Sequence, residues 1–351
     1  MPPTQIVRDI RTITQKRLLP RVTDRWLPQF TFGLQAYTLR EFTSATGNAR
    51  MVNPNPNTAS SKSRRLLKNS RLSEHMGTVF DSLGLVKPSS FVNIDHSDFN
   101  GLMALVGAVQ TRKGRAIPCL VEVTYANRLT ARDDAPPRKK ALRAAWTEER
   151  KSRSLTGHTI DALQNFADRL SFWPKPVFDR GFCNESIMTH LEAEGATFYV
   201  RLKAGRFVEY DGQKTEIKAL PGKDVTVRLF GLQLRVIRST KDGKSDEPWY
   251  VLTNDFSSSR AKIVKIYYHR FEIEETFRDE KHIFGLKRTR LNKPNSLKVI
   301  LWLVGLGIAL LYLVTRDSPQ QKTVHPKKQC SWVRQNFETL QRAHIQFLWS
   351  G

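Results

Sequence analysis

The chain has 351 residues and carries 57 Lys and Arg against 33 Asp and Glu, which gives a formal net charge of +24. This charge predicts a polyanionic partner, for which nucleic acid is the usual candidate and an anionic membrane surface the alternative. The three cysteines, Cys119, Cys183 and Cys330, lie far apart in the sequence. That spacing argues against a zinc site or a disulfide framework and, with no apolar signal-peptide core at the N-terminus, predicts a cytoplasmic location.

The first 72 residues are strongly basic, with 13 Lys and Arg against 3 Asp and Glu. After an Asn- and Pro-rich break at residues 53–57, residues 58–72 predict a short capped helix. Its cations Arg64, Arg65 and Lys68 are candidate contacts to phosphate. We therefore expect residues 1–85 to form a small helical DNA-binding region, with a basic solvated arm as the alternative.

Residues 86–204 predict an α/β unit in which two strands end in carboxylates. Residues 89–95 indicate a first strand that ends at Asp95, and a hairpin follows around Gly114. A helix over residues 160–170 and a strand that ends at Asp179 come next, followed by a further helix and strand. Side chains just past the last hydrogen bond of a strand project into a crevice, so Asp95 and Asp179 are candidate site residues. Asp98 is the alternative to Asp95, but its surroundings favour a turn.

Residues 205–256 interrupt this order with alternating strands at residues 225–229, 232–238 and 249–253, which predict a β-rich insertion. Residues 257–316 should complete the core. Within them, residues 299–314 carry no charge but fall short of the roughly 20 residues that span a membrane. We interpret this segment as a buried core helix, and no membrane is expected as a partner. We expect residues 317–351 to be a C-terminal tail with a helical region.

The segment from residue 267 to residue 281 predicts one helix with two faces. At 100° per residue, Tyr267, Arg270, Glu274 and Lys281 fall within about 60° of one another, and Arg278 lies at the edge of this stripe. A second, apolar stripe consists of Ile266, Ile273, Phe277 and Phe284. Glu272 and Glu275 lie off the polar stripe, so Glu274 is the preferred carboxylate. The alternative is a solvated helix with ion pairs four residues apart.

Asp95, Asp179 and Glu274 together supply three carboxylates, and their hard oxygen ligands suit Mg²⁺. Two divalent ions held by such a cluster can activate an attacking oxygen and stabilise a leaving one. We therefore predict two Mg²⁺ ions, with Mn²⁺ as a substitute, and a catalytic role for all three residues.

The spacing Tyr-x2-Arg-x3-Glu-x6-Lys, from Tyr267 to Lys281, resembles the YREK signature of bacterial insertion-sequence transposases of family 4. The run Asp-Arg-Gly-Phe at residues 179–182 resembles the second acidic motif of that family, and Asp95 with the following His-Ser resembles the first. The resemblance runs from about residue 89 to residue 314. It implies an RNase H-like catalytic core, and three antiparallel strands followed by alternating helix and strand fit that order.

The resemblance further implies a DDE endonuclease that cuts transposon ends and joins them to target DNA, with or without a hairpin intermediate. Tyr267, Arg270 and Lys281 would contact phosphates, with Arg278 assisting. Trp249 would stack on an extruded base, as a matching Trp does in a relative, although a core aromatic is the alternative. The implied partners are terminal inverted repeats, target DNA and a second copy of the chain in a synaptic dimer, within a bacterial, nucleoid-associated setting. A nuclease of the same fold without strand transfer and a non-catalytic DNA-binding relative remain alternatives.

Overall fold

The computed structural model describes residues 8–10, 12–18, 20, 55–99, 101–125, 154–239, 248–282, 284–286 and 291–316, which form the predicted mixed α/β architecture. The chain divides into two compact units. Met1–Leu85, His96–Ala126 and Glu272–Gly351 form one, here called the helical unit, and Val86–Asp95 with Asn127–Phe271 form the other, the strand-rich unit. The five-part division drawn from sequence stays a prediction, and its C-terminal tail lies outside the described residues.

Ten strands and seven α-helices are found among the described residues. The strands are β1 (Phe91–Phe99), β2 (Leu102–Val109), β3 (Ile117–Tyr125), β4 (Lys175–Phe178), β5 (Tyr199–Leu202), β6 (Phe207–Tyr210), β7 (Gln213–Glu216), β8 (Asp224–Leu229), β9 (Leu232–Arg238) and β10 (Tyr250–Thr253). The helices are α1 (Pro56–Lys68), α2 (Ser70–Asp81), α3 (Leu155–Leu170), α4 (Glu185–Ala193), α5 (Arg260–Tyr268), α6 (Phe271–His282) and α7 (Pro294–Thr315).

The strand-rich unit is built on strands hydrogen-bonded in the order β1-β4-β5-β10-β9-β8-β6-β7. The first three are parallel, whereas β10 pairs antiparallel with both β5 and β9. The predicted insertion is therefore a set of antiparallel strands that continues from the parallel ones. At its β8–β9 turn, Phe230 and Gly231 both have positive φ, 57° and 77°, as the favoured two-residue hairpin loop requires.

The start of α5 is fixed by a polar network in the strand-rich unit. Asp255 accepts a hydrogen bond of 2.6 Å from the hydroxyl of Tyr199 and further bonds from the backbone N–H groups of Ser257 and Ser258. Arg235 donates to the carbonyl oxygens of Asp255 and Ser258. Burial raises the pKa of Tyr199, so this side chain stays a hydroxyl donor. The loop that leads into α5 is thus held by directional bonds on both sides.

The helical unit is organised around α7, which packs against β3, α2 and α1. Close approach to β3 requires Gly305, because a Cβ there would lie 3.1 Å from the Cβ of Pro118. By length and composition α7 could cross a membrane, but 83% of its most apolar window is buried inside the protein. The prediction of a buried core helix is therefore confirmed.

Three predicted elements have different bounds in the structure. The helix predicted from residue 267 to residue 281 is wrong as one element, because α5 ends at Tyr268 and α6 begins at Phe271. Likewise β1 does not end at Asp95 but continues to Phe99, next to β2. The basic helix predicted over residues 58–72 is also broken, at Asn69, whose backbone is extended and whose side chain caps α2 by accepting from the N–H of Leu72.

Candidate active site

Asp95 and Asp179 occupy matching positions on neighbouring parallel strands of the strand-rich unit. The last residues in register are Ile94 on β1 and Phe178 on β4, and each aspartate comes next in its chain. Since parallel strands lie about 4.8 Å apart, the two side chains leave the sheet side by side. Asp98 lies an odd number of positions further along β1, so it faces the opposite side, where it is exposed. The choice of Asp95 over Asp98 as a catalytic residue stays a prediction.

Arg270 pairs with Asp95, with 3.4 Å between its Nη1 atom and Oδ2 of the carboxylate. Its side chain is only 4% exposed, whereas that of Asp95 is 22% exposed. The two-residue break that carries Arg270 is tied to β1, because the side-chain amide of Asn93 donates to the carbonyl oxygen of His269 at 2.9 Å. The interruption between α5 and α6 thus places a buried cation beside the first aspartate.

Arg201 extends this row to a third strand and was missed in the sequence. Val200 is in register with Phe178, so Arg201 follows on β5 as Asp179 follows on β4. The guanidinium group lies 5.8 Å from the ring of Trp249, and Arg201 is half-buried. Within the described residues it makes no salt bridge. A signal was present in the sequence, namely a cation at the end of a predicted strand, but the order of neighbouring strands was needed to interpret it.

Tyr267 is fully buried and belongs to the cluster beneath α5. Burial raises its pKa, while the nearby cations Arg270 and Arg201 lower it and the carboxylate of Asp179 raises it. Tyr267 therefore lies within electrostatic reach of the row of charged side chains but remains a neutral phenol. Its direct contact with phosphate stays a prediction.

Trp249 is half-buried against the same cluster. Its ring lies 5.8 Å from that of Tyr267 in an edge-to-face arrangement and 5.5 Å from that of Phe271. Arg270 in turn lies 4.9 Å from the ring of Phe271. Cations thus flank an aromatic stack on both sides, an arrangement that attracts electron-rich rings and anions.

The helical unit contains the other signature residues, all on α6. Glu274 and Arg278 are exposed, and the ammonium group of Lys281 lies 5.1 Å from the ring of Phe99. Arg278 pairs with Glu275 at 2.6 Å. Glu272 is buried, 4% exposed, and bonded to backbone N–H groups. Among these neighbouring glutamates, Glu274 alone is exposed, which supports its selection.

The oxygen donors of Asp95 and Asp179 suit Mg²⁺, and their adjacent positions allow a shared ion. Arg270 already balances one of the two charges, so a cation there would compete with an existing ion pair. In the part of the chain that the structure describes, no group of three or more His, Cys, Asp or Glu side chains is arranged to hold a metal. The three-carboxylate site with Glu274 therefore stays a prediction, and so does a metal ion held by the two aspartates.

Helix α1 presents a basic surface in the helical unit. Arg64, Arg65 and Lys68 are all exposed on it, and Asn55 caps its first turn by accepting from two backbone N–H groups. A contact of these cations with DNA stays a prediction.

Residues 156–311 match the family model of the transposase DDE domain. The match supports a DDE transposase, and so an enzyme that cleaves or transfers DNA. It covers Asp179 and the four signature residues, whereas Asp95 lies outside it. The mixed α/β architecture is consistent with the RNase H-like core of such enzymes. No curated protein matches the chain.

Proposed function

We propose that this protein is a DNA transposase of insertion-sequence family 4, in the group with the YREK signature. It cleaves the ends of its element and joins them to target DNA in cut-and-paste transposition. The observation that carries the proposal is the row of Asp95, Asp179 and Arg201, which come directly after the last residues in register on β1, β4 and β5. Carboxylates beside cations are what a site needs to hold metal ions against a phosphodiester.

The catalytic carboxylates in this proposal are Asp95, Asp179 and Glu274. Two Mg²⁺ ions bound to them, with Mn²⁺ as a substitute, would supply Lewis-acid activation for in-line displacement at phosphorus. Arg270 keeps the Asp95 side chain in place and limits its rotation, because the arginine side chain itself is almost fully shielded from water. Arg201 offers a half-buried guanidinium group for a phosphate oxygen of the bound strand.

DNA binding in this proposal uses two sets of cations. Lys281 and Arg278 are carried by α6, the helix of Glu274, whereas Arg64, Arg65 and Lys68 lie on α1. The formal net charge of +24 supports a long contact with a polyanion. The partners we propose are the terminal inverted repeats, target DNA and a second copy of the chain in a cytoplasmic, nucleoid-associated synaptic dimer.

The decisive experiment replaces each carboxylate by its amide and measures cleavage and strand transfer on labelled duplexes. The duplexes carry the inverted repeats found in the DNA that flanks the reading frame. Asp95→Asn, Asp179→Asn and Glu274→Gln should each lower Mg²⁺-dependent cleavage by about 10³-fold or more, because the metal ions act in the transition state. Binding to the same duplex should stay within a few-fold.

Asp98→Asn is the matched control, since Asp98 lies on the same strand but faces the other side. It should cleave at the wild-type rate. A dead Asp98→Asn variant beside an active Asp95→Asn variant would overturn the assignment of the first carboxylate. If the wild-type chain cleaves DNA but yields no joined product, the protein is a nuclease of the same fold and not a transposase. If the wild-type chain binds DNA without cleaving it, the protein is a non-catalytic relative.

A further inference from the structure

The loop between β2 and β3 has the shape of an anion-binding site. Arg112 and Gly114 have positive φ, 61° and 80°, which turns successive backbone N–H groups toward one side. The hydroxyl of Thr111 donates to the carbonyl oxygen of Arg115 and accepts from the N–H of Lys113. A non-glycine residue with positive φ is costly, and such a conformation persists only where its surroundings hold it.

A carboxylate of the chain itself occupies this loop. Glu272 accepts hydrogen bonds from the N–H groups of Thr111 at 2.9 Å, Arg112 at 3.3 Å and Gly114 at 3.2 Å. Both of its oxygens are used, and the residue is only 4% exposed. Burial of a carboxylate is tolerated here because three donors replace its water shell.

A second set of bonds holds the next turn of α6 to the same loop. The hydroxyl of Thr276 donates to the carbonyl oxygen of Ala116 at 2.8 Å and accepts from its N–H at 3.1 Å. One turn further, Arg115 pairs with Asp279 at 2.7 Å. We call the contact of Glu272 and Thr276 with residues 111–116 the Glu272 clamp.

The clamp binds the side of α6 that lies opposite Glu274. Glu272, Thr276 and Asp279 are spaced by four and three residues and therefore share a face, whereas Glu274 lies about 160° away from Glu272 on the wheel. Hydrogen bonds are directional, so several of them on the back of a helix fix its rotation and its translation. The buried Glu272 thereby sets the position of the exposed Glu274 carboxylate.

We propose that Glu272 is a positioning residue for DNA cleavage, acting through the Glu272 clamp on Glu274. This inference rests on the proposed function, because it assumes that Glu274 is a catalytic carboxylate. The residue spacing placed Glu272 off the polar stripe of Glu274, and in the structure Glu272 is bonded to the loop instead.

The test compares Glu272→Gln with wild type in the full chain. The amide keeps the side-chain volume but removes one acceptor oxygen and the charge. Amide hydrogen exchange at Thr111, Arg112 and Gly114 should become at least about tenfold faster, since one acceptor oxygen becomes an N–H donor and the bonds to the other lose the charge of the carboxylate. The single-turnover rate of Mg²⁺-dependent cleavage should fall about tenfold to hundredfold, as expected for a misplaced catalytic group, with the Kd for the end duplex within about twofold.

Glu122→Gln is the matched control. Glu122 accepts two bonds from Lys298 at 2.8 and 2.9 Å, so it joins β3 to α7 in the same unit. This variant should cleave within about twofold of wild type, as expected for a partly exposed ion pair. Thr276→Val provides a second probe if Glu272→Gln does not fold, and its cleavage rate should fall in the same direction with unchanged Kd.

Four results would overturn the inference. Unchanged exchange in Glu272→Gln would show that the loop does not hold the carboxylate, and faster exchange with a normal cleavage rate would show that the clamp positions nothing. An equal loss of cleavage rate in Glu122→Gln would show that the effect comes from general destabilisation. A wild-type chain that does not cleave the end duplex would contradict both the proposed function and the positioning role. Normal protection of the Thr111, Arg112 and Gly114 amides without cleavage would identify this case.

Discussion

Helices α5 and α6 follow one another in the chain, yet they are held in different ways. Ile263, Ile266 and Tyr267 on α5 share a buried cluster with strand residues, whereas α6, besides burying Ile273 and Phe277, is bonded through Glu272 and Thr276 to a loop. Apolar burial is non-directional and stabilises without fixing a rotation, while hydrogen bonds fix orientation. Substitutions in the α5 cluster should therefore lower the free energy of unfolding, whereas substitutions in the Glu272 clamp should displace the Glu274 side chain.

The largest effect is expected from Tyr267→Ala, which tests the α5 side of this comparison. Removing a fully buried ring should lower the free energy of unfolding by about 3–5 kcal/mol through lost burial and a cavity. Urea denaturation followed by circular dichroism measures this change.

Tyr267→Phe is the matched variant, since it keeps the ring and removes only the hydroxyl. If Tyr267 serves the core alone, the Phe variant should retain both stability and assembly with end DNA. Loss of assembly at unchanged stability would instead establish the contact with phosphate that the sequence predicts.

The next effect concerns Glu280, a carboxylate of α6 that is not part of the Glu272 clamp. It is fully buried, and neither oxygen has a hydrogen-bond partner among the described residues. Burial raises its pKa to about 8, with Lys281 lowering it and Asp279 raising it. Because the pKa is higher in the folded state, stability is complete below the unfolded pKa of 4.5 and falls as the pH rises toward 8.

Glu280→Gln should remove this loss and raise the free energy of unfolding by about 3 kcal/mol at pH 7, with little change at pH 4. Thermal melts at the two pH values measure the difference. Glu275→Gln, on the same helix but in a partly exposed ion pair, should change stability by about 1 kcal/mol or less at either pH. An equal gain at both pH values would show that packing and not ionisation is responsible.

Much of the fold followed from local patterns. Alternating apolar residues located the strands of the insertion, and the turn at Gly114, which has a positive φ, was predicted where it is found. The apolar positions were predicted to be buried and are: Ile266 on α5, and Ile273 and Phe277 on α6. These patterns succeed because burial and φ preference act on each residue through its own side chain.

The end of α5 could not be predicted in the same way. A helical wheel assumes a continuous helix, but Asn93 binds the carbonyl oxygen of His269 from 176 residues away. The role of Glu272 also depends on a distant loop, and Arg201 became informative only once β5 was placed beside β4. Contacts between segments that are distant in sequence leave no periodic pattern in a single sequence. The partners of these residues therefore could not be predicted from residue spacing.

The smallest and most selective effect is expected from Trp249, at the edge of the α5 cluster. Given the proposed function, forming a hairpin requires the terminal base to leave its stack, which costs a few kcal/mol, and an aromatic face offsets about 1–3 kcal/mol of that cost. Trp249→Ala should therefore leave the first nick nearly intact and slow hairpin formation, while Trp249→Phe should retain most of the rate. An abasic end should partly rescue the Ala variant, because no base then needs to be unstacked. Trp249 also packs on Tyr267 and Phe271, so equal loss of nicking and hairpin formation with a lowered Tm would assign it to the core instead.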